Sequence, residues 1–175
     1  MASPDKLLYR IALTQINGVG DILSKMLLQA VGDEEAILKS SRKSLLAIQG
    51  IASKLVDEIM NPKVLIRAEK ELTFIDKNNI STYFITDEDY PSRLKDCSDS
   101  PILFYFKGKA DLNAQKIISI VGTRNSTNYG NEFCNTFIQE LSSEVNDLLV
   151  VSGLAYGIDI NAHKAALKNY MPTIG

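Results

Sequence analysis

Residues 117–130, IISIVGTRNSTNYG, and residues 148–159, LLVVSGLAYGID, decide how this chain folds. Each begins with a short, nearly continuous aliphatic run and ends in glycine and small polar residues. Runs this short without polar alternation are expected of parallel strands buried on both faces. Ile117-Ile118-Ser119-Ile120-Val121 therefore reads as a central strand covered on both sides, and Leu148-Leu149-Val150-Val151 as a second buried strand. A helical stretch from about Tyr129 to Val145 lies between them. A second helix runs from about Ile158 to Lys168, and Pro172-Thr173-Ile174-Gly175 reads as a third strand starting. This strand–helix–strand–helix order implies right-handed crossovers and a partial Rossmann-like, doubly wound parallel sheet.

Both loops that follow these strands lie at carboxyl ends, where open α/β sheets place their ligands. In the first, Gly122 allows close backbone approach, while Thr123, Asn125 and Ser126 offer hydrogen bonds. Arg124 adds a planar fork that matches phosphate, and the next helix start offers backbone N–H groups to an anion. The second loop, Ser152-Gly153-Leu154-Ala155-Tyr156-Gly157, is expected to lie beside the first and complete the same site, with Tyr156 able to stack on a base. Asp159 reads as a helix cap, and His163, the chain's one histidine, as a packed structural residue. Neither loop is GxGxxG or GxxxxGK[ST], and no HExxH, GxSxG or triad is present. The reading is of a binding site with no catalytic residues, no metal and no cofactor.

Upstream, Ser81 to Thr86 and Ile102 to Phe106 are β-branched or aromatic and read as strands, separated by a turn-rich acidic segment. The first ~77 residues read as helical from apolar spacing. Two glycine-bearing turns, Asn17-Gly18-Val19-Gly20 and Gln49-Gly50-Ile51-Ala52, sit between helices, giving an all-helical, SAM-like/helix-hairpin-helix domain over 1–77 and a Rossmann-like domain over 78–175. In such hairpins the glycine turn aims backbone N–H groups at phosphates, so Gly18, Gly20 and Lys25 are candidate DNA contacts, with Lys54 flanking the second turn. The second turn has Ala52 where the first has Gly20 and reads as a packing copy. A protein-interaction role for these helices is the competing reading.

Composition sets limits on these assignments. The net charge is −2, with +1 over residues 1–75 and −3 over 76–175, so DNA binding must come from a few placed groups rather than a basic surface. No apolar run approaches a membrane span, and Asp5 and Lys6 stand where an export signal would be apolar. Cys97 and Cys134 have no metal-ligand spacing and read as reduced thiols of a cytoplasmic protein.

Taken in order, Tyr90-Pro91, Leu94, Asp99-Ser100-Pro101, Leu103 and Gly108, then Val121-Gly122-Thr123-Arg124 with Tyr129-Gly130, resemble the DNA-processing protein A (DprA/Smf) family. Val151-Ser152-Gly153-Leu154-Ala155 with Gly157-Ile158-Asp159, Ala162-His163 and Ala166-Leu167 resembles that family's second signature. The resemblance implies a cytoplasmic single-stranded-DNA-binding protein without catalysis. Such a protein loads the RecA recombinase in natural transformation and homologous recombination. Arg124 would bind phosphate, with Gly122, Thr123, Ser152 and Gly153 lining the same pocket. Tyr156 departs from the basic residue that many relatives carry, exchanging a phosphate contact for stacking. Family members continue beyond Gly175, where much of the sheet, the dimer interface and the RecA contact are expected. A homodimer is therefore expected of a full-length member and is not assumed for this chain. The alternative is a Rossmann-like nucleotide-binding enzyme or sensor, with Asp159 or His163 as acid or base.

Overall fold

The computed structural model describes residues 4–175. The chain divides into two compact units, the first ending at Lys107 and the second spanning Gly108–Gly175.

The first unit opens with six helices: α1 (Pro4–Thr14), α2 (Asp21–Val31), α3 (Glu34–Lys39), α4 (Arg42–Leu46), α5 (Ser53–Ile59) and α6 (Lys63–Asn78). Their apolar stripes converge on a core that includes Ile11, Leu27, Ile37, Leu45, Val56 and Val64. Burying each such side chain contributes roughly 1.5–3 kcal/mol. Gly18 and Gly50, at φ +80° and +86°, reverse the chain in the two hairpin turns. A side chain would be strained at either position. Two helix starts are capped by side chains. Asp33 accepts the Ala36 N–H at 2.7 Å, and Ser41 accepts the Ser44 N–H at 3.1 Å.

The unit continues through β1 (Ser81–Phe84), the single-turn α7 (Ser92–Lys95) and β2 (Leu103–Phe106). The two strands pair antiparallel, with Tyr83 opposite Phe104 and their rings stacked at 5.2 Å. Phe84 and Ile102 enter the helical core. The composition changes at Asn78-Asn79, yet the compact units divide about thirty residues later. The reason is that this hairpin buries its apolar face against the helices. Arg10 joins the same parts: its guanidinium reaches Glu34 at 2.6 Å and both carboxylate oxygens of Asp87, and lies 4.4 Å from the Phe84 ring centroid.

The second unit is β3 (Lys116–Ser119), α8 (Asn128–Glu144), β4 (Leu148–Val151), α9 (Ile158–Lys168) and β5 (Thr173–Ile174). All three strands are parallel, in the order β3-β4-β5. Ile118, Ile120, Leu148 and Val150 share one sheet face and pack with Ile138 of α8 and Ala162 of α9. Both crossover helices thus lie on that face, as right-handed connections stepping in one direction require. Among the described strands β4 is the middle one, with Leu148, Leu149 and Val150 buried. β3 has a strand neighbour on one side only among the described residues, so Ile117 and Ile118 are half-buried and Val121 is 82% exposed. The aliphatic run at 117–121 signals strand, but cannot say how many neighbours the strand has.

Candidate functional site

Ser119 of β3 is in register with Val151 of β4, so the loops that leave these two strands emerge side by side. Glycines let their backbones interlock. A Cβ on Gly157 would overlap the Thr123 carbonyl oxygen, and one on Gly122 would stand 2.6 Å from the Ile158 side chain. Gly157 also has φ +86°, a conformation unfavourable for any other residue. These glycines therefore admit the neighbouring loop, a requirement that comes before any ligand.

Polar contacts fix the pair further. The Ile158 N–H donates to the Thr123 carbonyl at 3.2 Å. The Gly122 N–H donates to the buried Asp159 carboxylate at 3.3 Å, so Asp159 ties the first loop to α9. This differs from the expected cap, since Gly157 holds the N-cap position of α9. Asn161 donates both to Asn131 Oδ1 of α8 at 2.5 Å and to the Gly157 carbonyl at 2.8 Å, joining the two helices beneath the loops. His163 is buried, with Nδ1 2.7 Å from Thr173 Oγ1 and Nε2 3.3 Å from the Gly153 carbonyl, a structural placement.

The expected contact residues divide into two groups. Ser152 is buried, and its hydroxyl donates to the Ile120 carbonyl at 2.7 Å, so this side chain stitches strand ends together and faces inward. Thr123 Oγ1 accepts the Asn125 N–H at 3.2 Å, and Thr127 Oγ1 caps α8 by accepting the Gly130 N–H at 3.1 Å. Some loop amides are thus satisfied internally. By contrast, Arg124 and Asn125 are exposed, and Arg124 has no hydrogen-bonding or ion-pair partner among the described residues. Leu154 and Tyr156 are 86% and 85% exposed, Gly153 is exposed and Ala155 is half-buried. The site therefore presents one unneutralised guanidinium, an exposed phenol ring and apolar surface on a rigid double-loop base. That suits an anionic ligand with flat groups attached. Among the described residues, no three His, Cys, Asp or Glu side chains gather as a metal ion would need.

The hairpin candidates lie in the other unit. Gly20 is the N-cap of α2, with open space where a Cβ would be. Lys25 is engaged: its ammonium donates to the Ser98 carbonyl and to Ser100 Oγ, each at 2.9 Å. Asp21 accepts the Ile102 N–H at 2.9 Å. The start of α2 thus anchors the segment before β2. No helix among the described residues is long and apolar enough to cross a membrane.

Sequence reasoning missed the Asn131–Asn161 clamp and the exposed aromatic row of α8, Tyr129 and Phe133. The i, i+4 spacing of the aromatics was legible, but their exposure was not.

Comparison with known proteins agrees with this architecture. Residues 81–175 match the family model described as DNA recombination-mediator protein A. The chain is 40% identical over 93 residues to the DNA processing protein DprA of Streptococcus pneumoniae, covering 53% of this chain and 32% of that protein. It is 29% identical over 164 residues to the protein Smf of Synechocystis, covering 91% of this chain and 41% of that one. The chain thus spans well under half the length of these relatives. The X-ray structure of DNA processing protein A (DprA) from Streptococcus pneumoniae superposes with a TM-score of 0.60 at 26% identity, over 96% of this chain and 56% of that one.

Proposed function

Because the chain belongs to the DNA recombination-mediator protein A family, we propose that it binds single-stranded DNA without catalysis and serves as a RecA loader. The setting would be the cytoplasm, in DNA uptake and homologous recombination. Relatives bear the name DNA processing protein, and the residues that match the family model, 81–175, include both loops. The observation that carries the reading is Arg124: an exposed guanidinium with no partner among the described residues, on the loop leaving β3, beside an interlocked second loop. A guanidinium left free on a rigid loop is available for a bidentate phosphate contact. Gly122, Thr123, Asn125, Gly153, Leu154, Ala155, Tyr156 and Gly157 would form the surrounding surface, and Ser152 would support it from below. The net charge of −2 favours this local mode, since the overall charge gives no attraction to DNA. Homodimerisation and the RecA contact belong to the proposal for the whole protein.

The test is fluorescence anisotropy of labelled oligo-dT and a matched duplex at two salt concentrations. Wild type should prefer the single strand and lose affinity as salt rises, because neutralised phosphates release counterions. Removing one phosphate contact through Arg124→Ala should weaken binding and lower the salt slope by about 0.7. Stabilisation by a mononucleotide with none by oligo-dT would instead establish a nucleotide-binding enzyme or sensor.

A further inference from the structure

The row of aromatic residues on α8 starts five residues after Arg124 and is not used by either loop. Tyr129, Phe133 and Phe137 are spaced i, i+4, i+8, which places them along one side of the helix. Phe137 is half-buried against the sheet core. The Phe133 ring lies parallel to it, at 5° and 6.1 Å between centroids. Tyr129 follows at 6.5 Å and 30°. The outer two rings are 61% and 77% exposed, although burying such rings would be favourable. Cys134 and Ile138 already provide the buried stripe of α8, so core packing does not require the outer rings.

We infer that Tyr129 and Phe133 form a base-stacking platform, receiving the bases of a single strand whose phosphate is held at Arg124. This rests on the proposed DNA-binding function and adds to it the element that distinguishes single strands from duplex. Three observations favour bases over a protein partner as the occupant. The surface is aromatic rather than aliphatic, its rings are already ordered by stacking on the half-buried Phe137, and it continues in sequence from an unpaired cation. Aromatic faces accept any base, because every base has a π-face, and they accept it only when it is unpaired and unstacked. The platform would also give affinity to a chain whose net charge is −2.

The experiment compares labelled oligo-dT with an abasic oligomer of the same length, which keeps the phosphates and removes the bases. Tyr129→Ser with Phe133→Ser should weaken oligo-dT at least about fivefold, the low end of stacking per base. The abasic oligomer should bind this double variant as it binds wild type. Tyr129→Phe should retain wild-type affinity, and a thermal melt checks folding. The chain has no tryptophan, so Phe133→Trp supplies a direct reporter: oligo-dT should quench its emission and the abasic oligomer should not. Equal weakening of both oligomers, or unchanged oligo-dT affinity, overturns the platform. If Arg124→Ala alone lowers affinity, the phosphate contact stands and the platform falls. Absence of binding by folded wild type overturns both. Concentration-dependent self-association of wild type that the double variant abolishes would make this face a protein interface and end the inference.

Discussion

Asp159 of α9 accepts the backbone N–H of Gly122, the first loop residue after Val121, at 3.3 Å across 37 residues of sequence. The second loop thereby holds the first. A Cβ on Gly153 would stand 2.6 Å from the other carboxylate oxygen of Asp159, so both loops close around this one buried group. Arg124 is aimed by a loop that Asp159 positions, and the pair links the packing of the sheet to the surface proposed for DNA.

Replacing Asp159 by Ala should therefore affect both stability and binding. The Gly122 N–H loses its acceptor, which costs about 1–3 kcal/mol where water cannot replace it. Asp159→Asn keeps an acceptor oxygen and should cost less. Urea unfolding gives the stabilities and oligo-dT titration the affinities. A fully stable Asp159→Ala protein with normal affinity would show that the loops hold without this tie.

Gly157→Ala tests the interlocking of the backbones. The native φ of +86° alone makes a side chain cost about 1–3 kcal/mol, and the added Cβ would also overlap Thr123. Stability and oligo-dT affinity should fall together as the loops separate. Gly20→Ala is the control, because its φ is −96° and nothing lies within 4 Å of the added atom. Its melting curve should move by no more than the loss of a helix-cap preference, about 1 kcal/mol.

In the first unit, Arg10→Met should be the most damaging single polar change. It leaves Glu34, itself buried, and the carboxylate of Asp87 without their shared cation. Removing one partner from a buried charge network typically costs 3–5 kcal/mol. Adding Glu34→Gln and Asp87→Asn should recover part of that loss, which a urea series on the three proteins would read directly. Equal stability of Arg10→Met and wild type would mean that this network is energetically idle.

The two thiols should separate cleanly. Cys97 is exposed and Cys134 buried, and burial pushes the Cys134 thiol above its ordinary value. Because the folded value is the higher one, the corresponding stability is present below the ordinary thiol range and is lost as pH rises through the folded value. Ellman's reagent should thus label one thiol in native protein and two after denaturation. Rapid labelling of both in the native state would contradict the packing of α8.

The elements were largely legible in the sequence. Helix spacing and the aliphatic runs at 117–121 and 148–151 each carry their own local signal, because each reflects a local backbone preference or burial on a repeating face. Position within the sheet was not legible. β3 and β4 have similar compositions, yet only β4 has neighbours on both sides among the described residues. The association of β1 and β2 with the helices likewise depends on where Phe84 and Ile102 find apolar partners, which a change of composition at Asn78 does not mark.

For the site, sequence by itself determined which residues stand at the two carboxyl-end loops: Gly122, Thr123, Arg124 and Asn125 in one, and Ser152 to Gly157 in the other. Only the tertiary structure decided their roles. It turned Ser152 inward to Ile120, spent Lys25 on Ser98 and Ser100, gave Asp159 to Gly122, and left Arg124, Tyr129 and Tyr156 at the surface. The physical reason is that a polar side chain's function depends on whether folding has already given it a partner. Those partners lie tens of residues away, where no local pattern in the sequence records them.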